Sequence, residues 1–450
     1  MNCLKYIFIV GFGALLLFSC SPARNGYRRG GRQIEKQVRK SQVFNRAFTG
    51  FTLVDPETGR HVADVNGDHF FTPASTTKIL TLYTCLKLLG DSVPALDVWH
   101  EKIPGKGISR LHVRGLGDPT FLHPSFQAWQ SSFSFLQNQP DSVLLFPDHY
   151  RKRFGPGWAW DDYNYAFQPE RTMFPMYGGI IRFKKKGDSI DIQPPFFKHN
   201  FTQFPYYAGP PERLENKNEW IIPNDLKDTI LSLPFRYDPF KLDSMLADTL
   251  HKSVRVSEVY EFDYAFDHIE GRRTPWKTLY STPVDTVLRR MMHQSDNFIA
   301  EQMLDVCIYR HFPDRKNVME WVLDSVLSDL PQRPRWVDGS GLSRYNLISP
   351  QDLSTVLLHL WREQPHETLL SYFPKGGKDG TLADWYAGKD GKPYVFAKSG
   401  SMSGVTCLSG FVRTNHGKTL IFTFMTNHFV GSSRDWKVEM QQILEIVGAW

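Results

Sequence analysis

A helix that starts directly after a proline is the feature that most constrains this chain. Pro73 disfavours the helical conformation for the residue before it, so the helix cannot extend backwards through Thr72. Apolar residues then recur at helical spacing from Thr77 to Leu89. Ser75 is therefore predicted at or near the helix N-terminus, with Lys78 about one turn further on and beside it.

This placement suits nucleophilic catalysis. A serine hydroxyl is a poor nucleophile until a neighbouring base takes its proton, and a lysine amine can be that base where burial or nearby cations lower its pKa. The helix N-terminus adds free N–H groups and a positive dipole end for a developing oxyanion. Taken alone, Ser75 and Lys78 indicate little, because a capping serine and a solvated lysine often have this spacing.

Two further motifs strengthen the interpretation. Ser295-Asp296-Asn297 lies in a break between two helical patterns, where a plain helix N-cap is the alternative. Lys398-Ser399-Gly400-Ser401 lies at the end of a predicted strand, where an ordinary hairpin turn is the alternative. The order Ser-x-x-Lys, Ser-x-Asn, Lys-Ser-Gly is the set found in penicillin-binding proteins and serine β-lactamases. The three motifs together therefore predict an acyl-transfer site.

Each residue of the first two motifs has a role in such chemistry. Acyl transfer needs a nucleophile, a base, a proton route to the leaving amine and an oxyanion hole. We predict Ser75 as the nucleophile and Lys78 as its base. Ser295 can relay a proton to the departing nitrogen, and Asn297 can hold the substrate amide and keep Lys78 in place.

The third motif is predicted to bind the substrate. Lys398 is a second cation that can lower the pKa of Lys78 and attract an anionic substrate terminus. The Ser399 hydroxyl can bind that carboxylate, and Gly400 lets the substrate backbone pair alongside the strand. The backbone N–H groups of Ser75 and Ser401 would form the oxyanion hole.

The remaining pattern predicts two interleaved units. A hairpin is expected over Phe48–Asn66, and helices, three strands and an amphipathic final helix are expected after residue 275. Residues 93–274 are rich in proline, glycine and aromatic residues with short strand-like pieces, which indicates a β-rich insertion. We therefore predict one domain from residues 46–92 and 275–450, interrupted by an inserted unit at 93–274.

The first residues resemble an export signal. Lys5 precedes an apolar run, Ile7–Phe18, that is too short to span a bilayer comfortably. Leu17-Phe18-Ser19-Cys20 resembles a bacterial lipobox, which predicts a lipoprotein signal peptide over residues 1–20 with a lipid on Cys20. A plain signal peptide that is cleaved elsewhere is the alternative.

The basic charge of the chain is concentrated behind that leader. The net charge is +6, and residues 24–46 hold eight arginines and lysines against one glutamate. Residues 21–45 are therefore predicted to be a basic tether beside the lipid, able to lie on anionic headgroups. A nucleic-acid partner is not predicted, because aromatic interleaving and a binding-module signature are both missing.

On these residues the chain resembles the low-molecular-mass class C penicillin-binding proteins, the exported serine D-alanyl-D-alanine carboxypeptidases and endopeptidases. The likeness runs from about residue 45 to the C-terminus. Besides the three motifs, it includes the following segments: Pro73-Ala74 before Ser75, Gly117-Asp118-Pro119-Thr120, Gly157-Trp158-Ala159-Trp160-Asp161-Asp162, Asp338-Gly339-Ser340-Gly341-Leu342-Ser343-Arg344 and Asp379-Gly380-Thr381-Leu382.

Two segments depart from the family pattern. Ser399 stands where the family usually has threonine, so the hydroxyl is kept and a methyl group is lost. Arg171–Gly178 replaces a Ser-Ala-Leu-Asn-like segment, which leaves the details of the insertion open.

The resemblance implies an α/β (α+β) fold of the penicillin-recognising type, an antiparallel sheet flanked by helices beside a helical lobe, with the β-rich insertion between. It implies a periplasmic hydrolase that cleaves peptidoglycan stem peptides and is acylated by β-lactams. Arg344 and Asp118, which lie in two of the shared segments, become candidates for substrate binding. The serine mechanism needs no metal and no cofactor.

Two other functions stay open on sequence. A serine β-lactamase has the same three motifs but needs efficient hydrolysis of its penicilloyl-enzyme. A catalytically silent, peptidoglycan-binding lipoprotein belongs to a different class, and it does not need the intact set of Ser75, Lys78, Ser295, Asn297 and Lys398.

Overall fold

The structure is a computed structural model. It describes residues 22–102, 109–139, 142–146, 152–238, 241–256, 268–269, 272–273, 276–311 and 317–450. The predicted signal peptide with Cys20 lies outside these residues.

The described chain forms helices at the following positions: α1 (Pro22–Lys40), α2 (Lys78–Leu88), α3 (Ser131–Asn138), α4 (Leu242–Leu250), α5 (Val284–His293), α6 (Asn297–His311), α7 (Val318–Ser325), α8 (Pro350–Glu363), α9 (His366–Tyr372) and α10 (Arg434–Gly448).

The strands are β1 (Phe48–Asp55), β2 (Arg60–Val65), β3 (Ser92–Lys102), β4 (Ser109–Gly115), β5 (Ser142–Phe146), β6 (Ile180–Lys186), β7 (Ser189–Gln193), β8 (Phe201–Phe204), β9 (Glu212–Arg213), β10 (Trp220–Pro223), β11 (Thr229–Pro234), β12 (Val254–Val256), β13 (His268–Ile269), β14 (Arg272–Arg273), β15 (Lys277–Pro283), β16 (Val395–Met402), β17 (Val405–Arg413) and β18 (Thr419–Asn427).

A five-stranded antiparallel sheet in the order β16-β17-β18-β1-β2 forms the centre of the catalytic unit. The predicted hairpin is confirmed as β1 and β2. Alternate residues of β18 point to opposite faces, so Phe422 and Phe424 pack towards Trp436 of α10, while Ile421 and Met425 pack towards α2 and α8. The sheet therefore has a helical layer on each face, as the resemblance implied.

A helical lobe stands beside this sheet. Helices α2, α5, α6 and α7 share one hydrophobic core, to which Leu82, Met291, Met303 and Val322 contribute. The predicted helices over Pro283–Met292 and Asn297–Cys307 are confirmed as α5 and α6. The cleft lies where the start of α2 meets the start of α6 and the edge strand β16.

The segment between these parts has a hydrophobic core of its own. Its five-stranded sheet has the order β12-β5-β4-β3-β15, and two three-stranded sheets join it. Buried Phe183, Trp220 and Phe235 are among the residues that fill this core. Strands β3 and β15 pair antiparallel, so the chain enters and leaves this part side by side. The exact domain boundaries stay a prediction.

The basic segment before residue 46 differs from a free tether. Its described part is α1, which packs Ile34 and Val38 into the core beneath the sheet. Gly31 permits this contact, because a Cβ there would stand 1.9 Å from the carbonyl oxygen of Val62 in β2. Three glycines and many cations lie in this helix, so its sequence does not indicate helical structure. None of the helices in the described ranges has the length and hydropathy needed to cross a membrane.

Candidate active site

Ser75 lies in a short 3₁₀ turn, Ala74–Thr77, that leads directly into α2. The turn is held by its own threonines: the Thr76 hydroxyl donates to the carbonyl of Pro73 at 2.7 Å, and the Thr77 hydroxyl donates to that of Ala74 at 2.8 Å. The prediction that Ser75 stands at a helix start is confirmed. Its side chain is partly open to solvent, which is compatible with the predicted role as nucleophile.

Lys78 is fully buried and its Nζ has three partners. The Ser75 Oγ lies 3.1 Å away, the Asn297 Oδ1 lies 2.6 Å away, and the backbone oxygen of Ser340 lies 2.6 Å away. The prediction that Asn297 keeps Lys78 in place is therefore supported by a direct hydrogen bond. Burial lowers the pKa of Lys78 to about 8, although the nearby carboxylates of Asp338, Glu301 and Asp296 raise it.

Lys398 forms a second lysine–serine pair. Its buried Nζ donates to the Ser295 Oγ at 2.9 Å and to the backbone oxygen of Ser399 at 2.6 Å. Ser295 takes a positive φ of 56°, which is uncommon for a residue with a side chain and turns the chain between α5 and α6. The second and third motifs are thus joined to each other, and Asn297 joins the second motif to the first.

The electrostatic role predicted for Lys398 needs a correction. We expected its charge to lower the pKa of Lys78, but burial is the dominant cause of that lowering. The repulsion between the two amines acts instead on Lys398, whose pKa lies well below its ordinary value because it is buried and faces Lys78. Neither amine can hold a proton as readily as a lysine in water.

Strand β16 passes close to Ser75. A Cβ at Gly400 would stand 2.8 Å from the backbone oxygen of Pro73 and 3.0 Å from the backbone nitrogen of Ser75, so only glycine fits there. Ser401 follows on the exposed part of this edge strand. The Ser399 hydroxyl donates to the Thr381 Oγ1 at 2.7 Å, a partner that the sequence did not reveal.

The two weaker candidates have different surroundings. Arg344 is exposed, and its guanidinium donates to the backbone oxygen of Ser403 at 3.4 Å, just beyond the end of β16. Asp118 is buried, and its Oδ1 accepts from the backbone N–H and the hydroxyl of Thr120. Its carboxylate organises a turn within the protein, and the substrate-binding role of Asp118 stays a prediction.

The inserted segment reaches the cleft. Asn297 Nδ2 donates to the backbone oxygen of Phe167 at 2.9 Å, and the Trp158 Nε1 donates to Asp338 Oδ2 at 2.9 Å. The sequence marked the segments of Trp158 and Asp338 as family signatures without giving them a function. The contact between them brings the loop at residues 338–344 to the base of the site.

This fold and this site define the class: a serine hydrolase of the penicillin-recognising type, with two buried lysines each bound to a serine. Residues 31–192 and 271–447 match the model of the D-Ala-D-Ala carboxypeptidase 3 (S13) family. The chain belongs to that family and is a serine peptidase.

Relatives agree with this assignment. The chain is 35% identical over 428 residues to a D-alanyl-D-alanine carboxypeptidase of Actinomadura sp. (strain R39), covering 86% of this chain and 78% of that protein. It is 25% identical over 435 residues to the D-alanyl-D-alanine carboxypeptidase DacB of Haemophilus influenzae, covering 88% of each. The crystal structure of penicillin-binding protein 4 from Haemophilus influenzae has the same fold, with a TM-score of 0.71 at 20% identity, over 92% of this chain and 98% of that one.

Proposed function

We propose that this protein hydrolyses peptide bonds that follow a D-alanine in peptidoglycan stem peptides, through an acyl-enzyme on Ser75. The observation that carries the proposal is the 3.1 Å contact between the Ser75 Oγ and the buried amine of Lys78. An amine whose pKa is about 8 is neutral in a useful fraction of molecules at neutral pH, so it can accept the serine proton.

In the first half-reaction, the Ser75 oxygen attacks the carbonyl carbon of the scissile bond while its proton passes to Lys78. The carbonyl oxygen becomes an oxyanion, which the N–H groups of Ser75 and Ser401 stabilise. The tetrahedral intermediate then expels the amine, which takes a proton from the Ser295 hydroxyl. Lys398 donates to Ser295 and can replace that proton.

In the second half-reaction, water attacks the ester carbon and Ser75 leaves as the alcohol. Before this attack, the proton that Lys78 took from Ser75 is returned through solvent to Lys398, which lost one to Ser295. Lys78 is then neutral again, takes the proton of the water and passes it to the departing serine oxygen, so both lysines and both serines regain their starting protonation. The substrate backbone would lie along the exposed end of β16 as an added strand. Lys398 and Ser399 would bind its terminal carboxylate there. A β-lactam carries a comparable carboxylate, and we propose that it acylates Ser75.

Purified muropeptides test this function. Full-length protein is incubated with linear pentapeptide and with cross-linked dimers, and the products are analysed by mass spectrometry. Loss of a terminal D-alanine indicates carboxypeptidase activity, and separation of the dimer indicates endopeptidase activity. Ser75→Ala should abolish both, whereas the matched exposed variant Ser403→Ala should retain them. Unchanged cleavage by Ser75→Ala would overturn the assignment of the nucleophile.

The same samples distinguish the two alternatives. A serine β-lactamase would turn over nitrocefin repeatedly, whereas the proposed peptidase should release about one product per Ser75 in an initial burst. A catalytically silent protein would cleave no muropeptide and would not be labelled by fluorescent penicillin. Covalent labelling that Ser75→Ala removes therefore supports the peptidase.

We also propose that the protein is exported and held at a membrane by a lipid on Cys20, with residues 21–45 beside it. The lipobox-like sequence supports the lipid. The outward side of α1 supports contact with anionic headgroups, because it carries exposed Arg29, Arg32 and Lys36. Cys20→Ala should move the protein from the membrane fraction to the soluble fraction after a high-salt wash. Retention in the membrane fraction would contradict lipid anchoring.

A further inference from the structure

Two carbonyl oxygens that bind the amine of Lys78 determine the orientation of that amine. A neutral amine has two N–H donors and one lone pair. The Asn297 Oδ1 and the backbone oxygen of Ser340, both 2.6 Å from Lys78 Nζ, can only accept hydrogen bonds. They take both N–H groups, so the lone pair of the neutral amine points at the remaining partner, the Ser75 hydroxyl.

The Ser340 carbonyl is itself held by buried carboxylates. Glu301 Oε1 accepts from the N–H of Ser340 at 2.8 Å, and Asp338 Oδ1 accepts from the N–H of Gly341 at 2.8 Å. These two N–H groups flank the residue whose oxygen binds Lys78. The backbone of Ser340 is therefore fixed on both sides.

Glu301 acts from the same side of α6 as Asn297. The two residues are four positions apart, about one helical turn, so they project in the same direction. Asn297 contacts Lys78 directly, whereas Glu301 reaches it through Ser340. Glu301 is 2% exposed, and such a buried carboxylate is costly unless it is paired.

The inserted segment supplies the pairing. Arg171 Nη1 lies 3.4 Å from Glu301 Oε2, and its guanidinium stacks over the ring of Trp158 at 5.5 Å. Trp158 in turn donates to Asp338. Both carboxylates that hold the Ser340 backbone therefore have a partner from this segment.

We propose that Glu301 is a positioning residue for the catalytic base, acting through the Ser340 backbone, and that Arg171 and Trp158 of the inserted segment hold this arrangement together. The inference rests on the proposed role of Lys78 as the base. It gives the insertion an indirect part in catalysis, through the orientation of the base, in addition to any contact that it makes with the cell wall.

The test compares Glu301→Ala with Glu301→Gln in the full-length protein, using the rate of acylation by fluorescent penicillin against pH. Glu301→Ala removes the acceptor for Ser340, so we expect the plateau rate to fall by about 10- to 100-fold, the order of loss that a misplaced catalytic group causes. Glu301→Gln keeps an acceptor and removes a negative charge near Lys78. The plateau of its acylation rate should stay within a few fold of wild type. The acidic limb of its pH–rate profile should move to lower pH, because the charge of Glu301 raises the pKa of Lys78.

Controls separate positioning from stability. Asp305→Asn removes another buried carboxylate from α6, and thermal melting is measured for every variant. The inference is overturned if the Glu301 variants lower Tm as Asp305→Asn does but leave both the plateau rate and the acidic limb unchanged. If Glu301→Ala does not fold, the inference is tested by the pH of the acidic limb in Glu301→Gln. A limb at the wild-type pH would then overturn it. Lys78→Met is measured alongside: acylation that survives in it contradicts the proposed base itself.

Arg171 gives an independent check on the inserted segment. Arg171→Met should lower the plateau rate, because Glu301 loses its partner, and adding Glu301→Gln should restore part of the loss. Arg153→Met is the matched control, since Arg153 pairs with Glu170 at 3.1 Å in the same segment. Equal plateau rates in Arg171→Met and Arg153→Met would overturn the role of the insertion.

Discussion

The side-chain Nζ of Lys398 donates to the hydroxyl of Ser295 at 2.9 Å, across 103 residues of sequence. Lys78 and Ser75 form the equivalent contact at 3.1 Å. The site thus contains two lysine–serine pairs in place of one base shared by two serines. In the proposed mechanism, one pair takes the proton of the nucleophile and the other supplies the proton of the leaving amine.

The first prediction concerns pH. Lys78 must be neutral to accept the serine proton, and its pKa is about 8. The acylation rate should therefore rise with pH and reach half of its plateau near that value. Lys398→Ala should leave this midpoint nearly unchanged, because burial is the main cause of the lowered pKa. Stopped-flow acylation at fixed ionic strength measures both profiles. A midpoint that moves strongly upward in Lys398→Ala would restore Lys398 as the residue that tunes Lys78.

The second prediction concerns proton uptake on substrate binding. The pKa of Lys398 is well below its ordinary value in the free enzyme, and an incoming carboxylate favours the charged amine. Binding of a peptide that ends in D-alanine to Ser75→Ala should therefore take up a proton at alkaline pH. Isothermal titration calorimetry in two buffers of different ionisation enthalpy measures the number of protons.

Lys398→Gln supplies the matched comparison for that measurement. It keeps the bulk of the side chain but cannot gain charge, so the proton uptake should disappear. Affinity should fall by about 10- to 100-fold, because a hydrogen bond to a charged group contributes about 1.5–3 kcal/mol. Identical buffer dependence in both proteins would show that another group takes up the proton.

The third prediction concerns the approach of β16 to the nucleophile. Gly400→Ala places a methyl group 2.8 Å from the backbone oxygen of Pro73, and backbone atoms on both sides must shift. We expect acylation to fall by roughly 100-fold, as for other misplaced nucleophiles. Gly90→Ala is the control, since a Cβ there meets no atom within 4 Å. Wild-type acylation by Gly400→Ala would show that the strand tolerates more space than its contacts allow.

The fourth prediction concerns Arg344, which extends beyond the end of β16. If it contacts the part of the stem peptide that penicillin lacks, Arg344→Ala should raise KM for muropeptides and leave the rate of penicillin acylation unchanged. Steady-state cleavage and penicillin labelling are compared on the same preparation. An equal loss in both assays would indicate that Arg344 only supports the turn at Ser403.

Local patterns in the sequence determined much of this protein. The proline before Ser75, the turn residues of the first hairpin and the apolar periodicity of the last helix each depend on neighbours within a few residues. The three short motifs likewise indicated acyl-transfer chemistry, because that chemistry requires those residue types. Predictions of this kind were confirmed for the start of α2 and for the hairpin β1–β2.

Tertiary structure decided what depends on burial and on contacts between distant segments. The sequence could not show that Asp118 is enclosed, that α1 packs on β2, or that burial governs the pKa of Lys78. It also could not show that Ser340 binds Lys78, because 262 residues separate them and the contact is made by a backbone carbonyl. Any residue type can supply that carbonyl, so only the folded chain reveals which residue does.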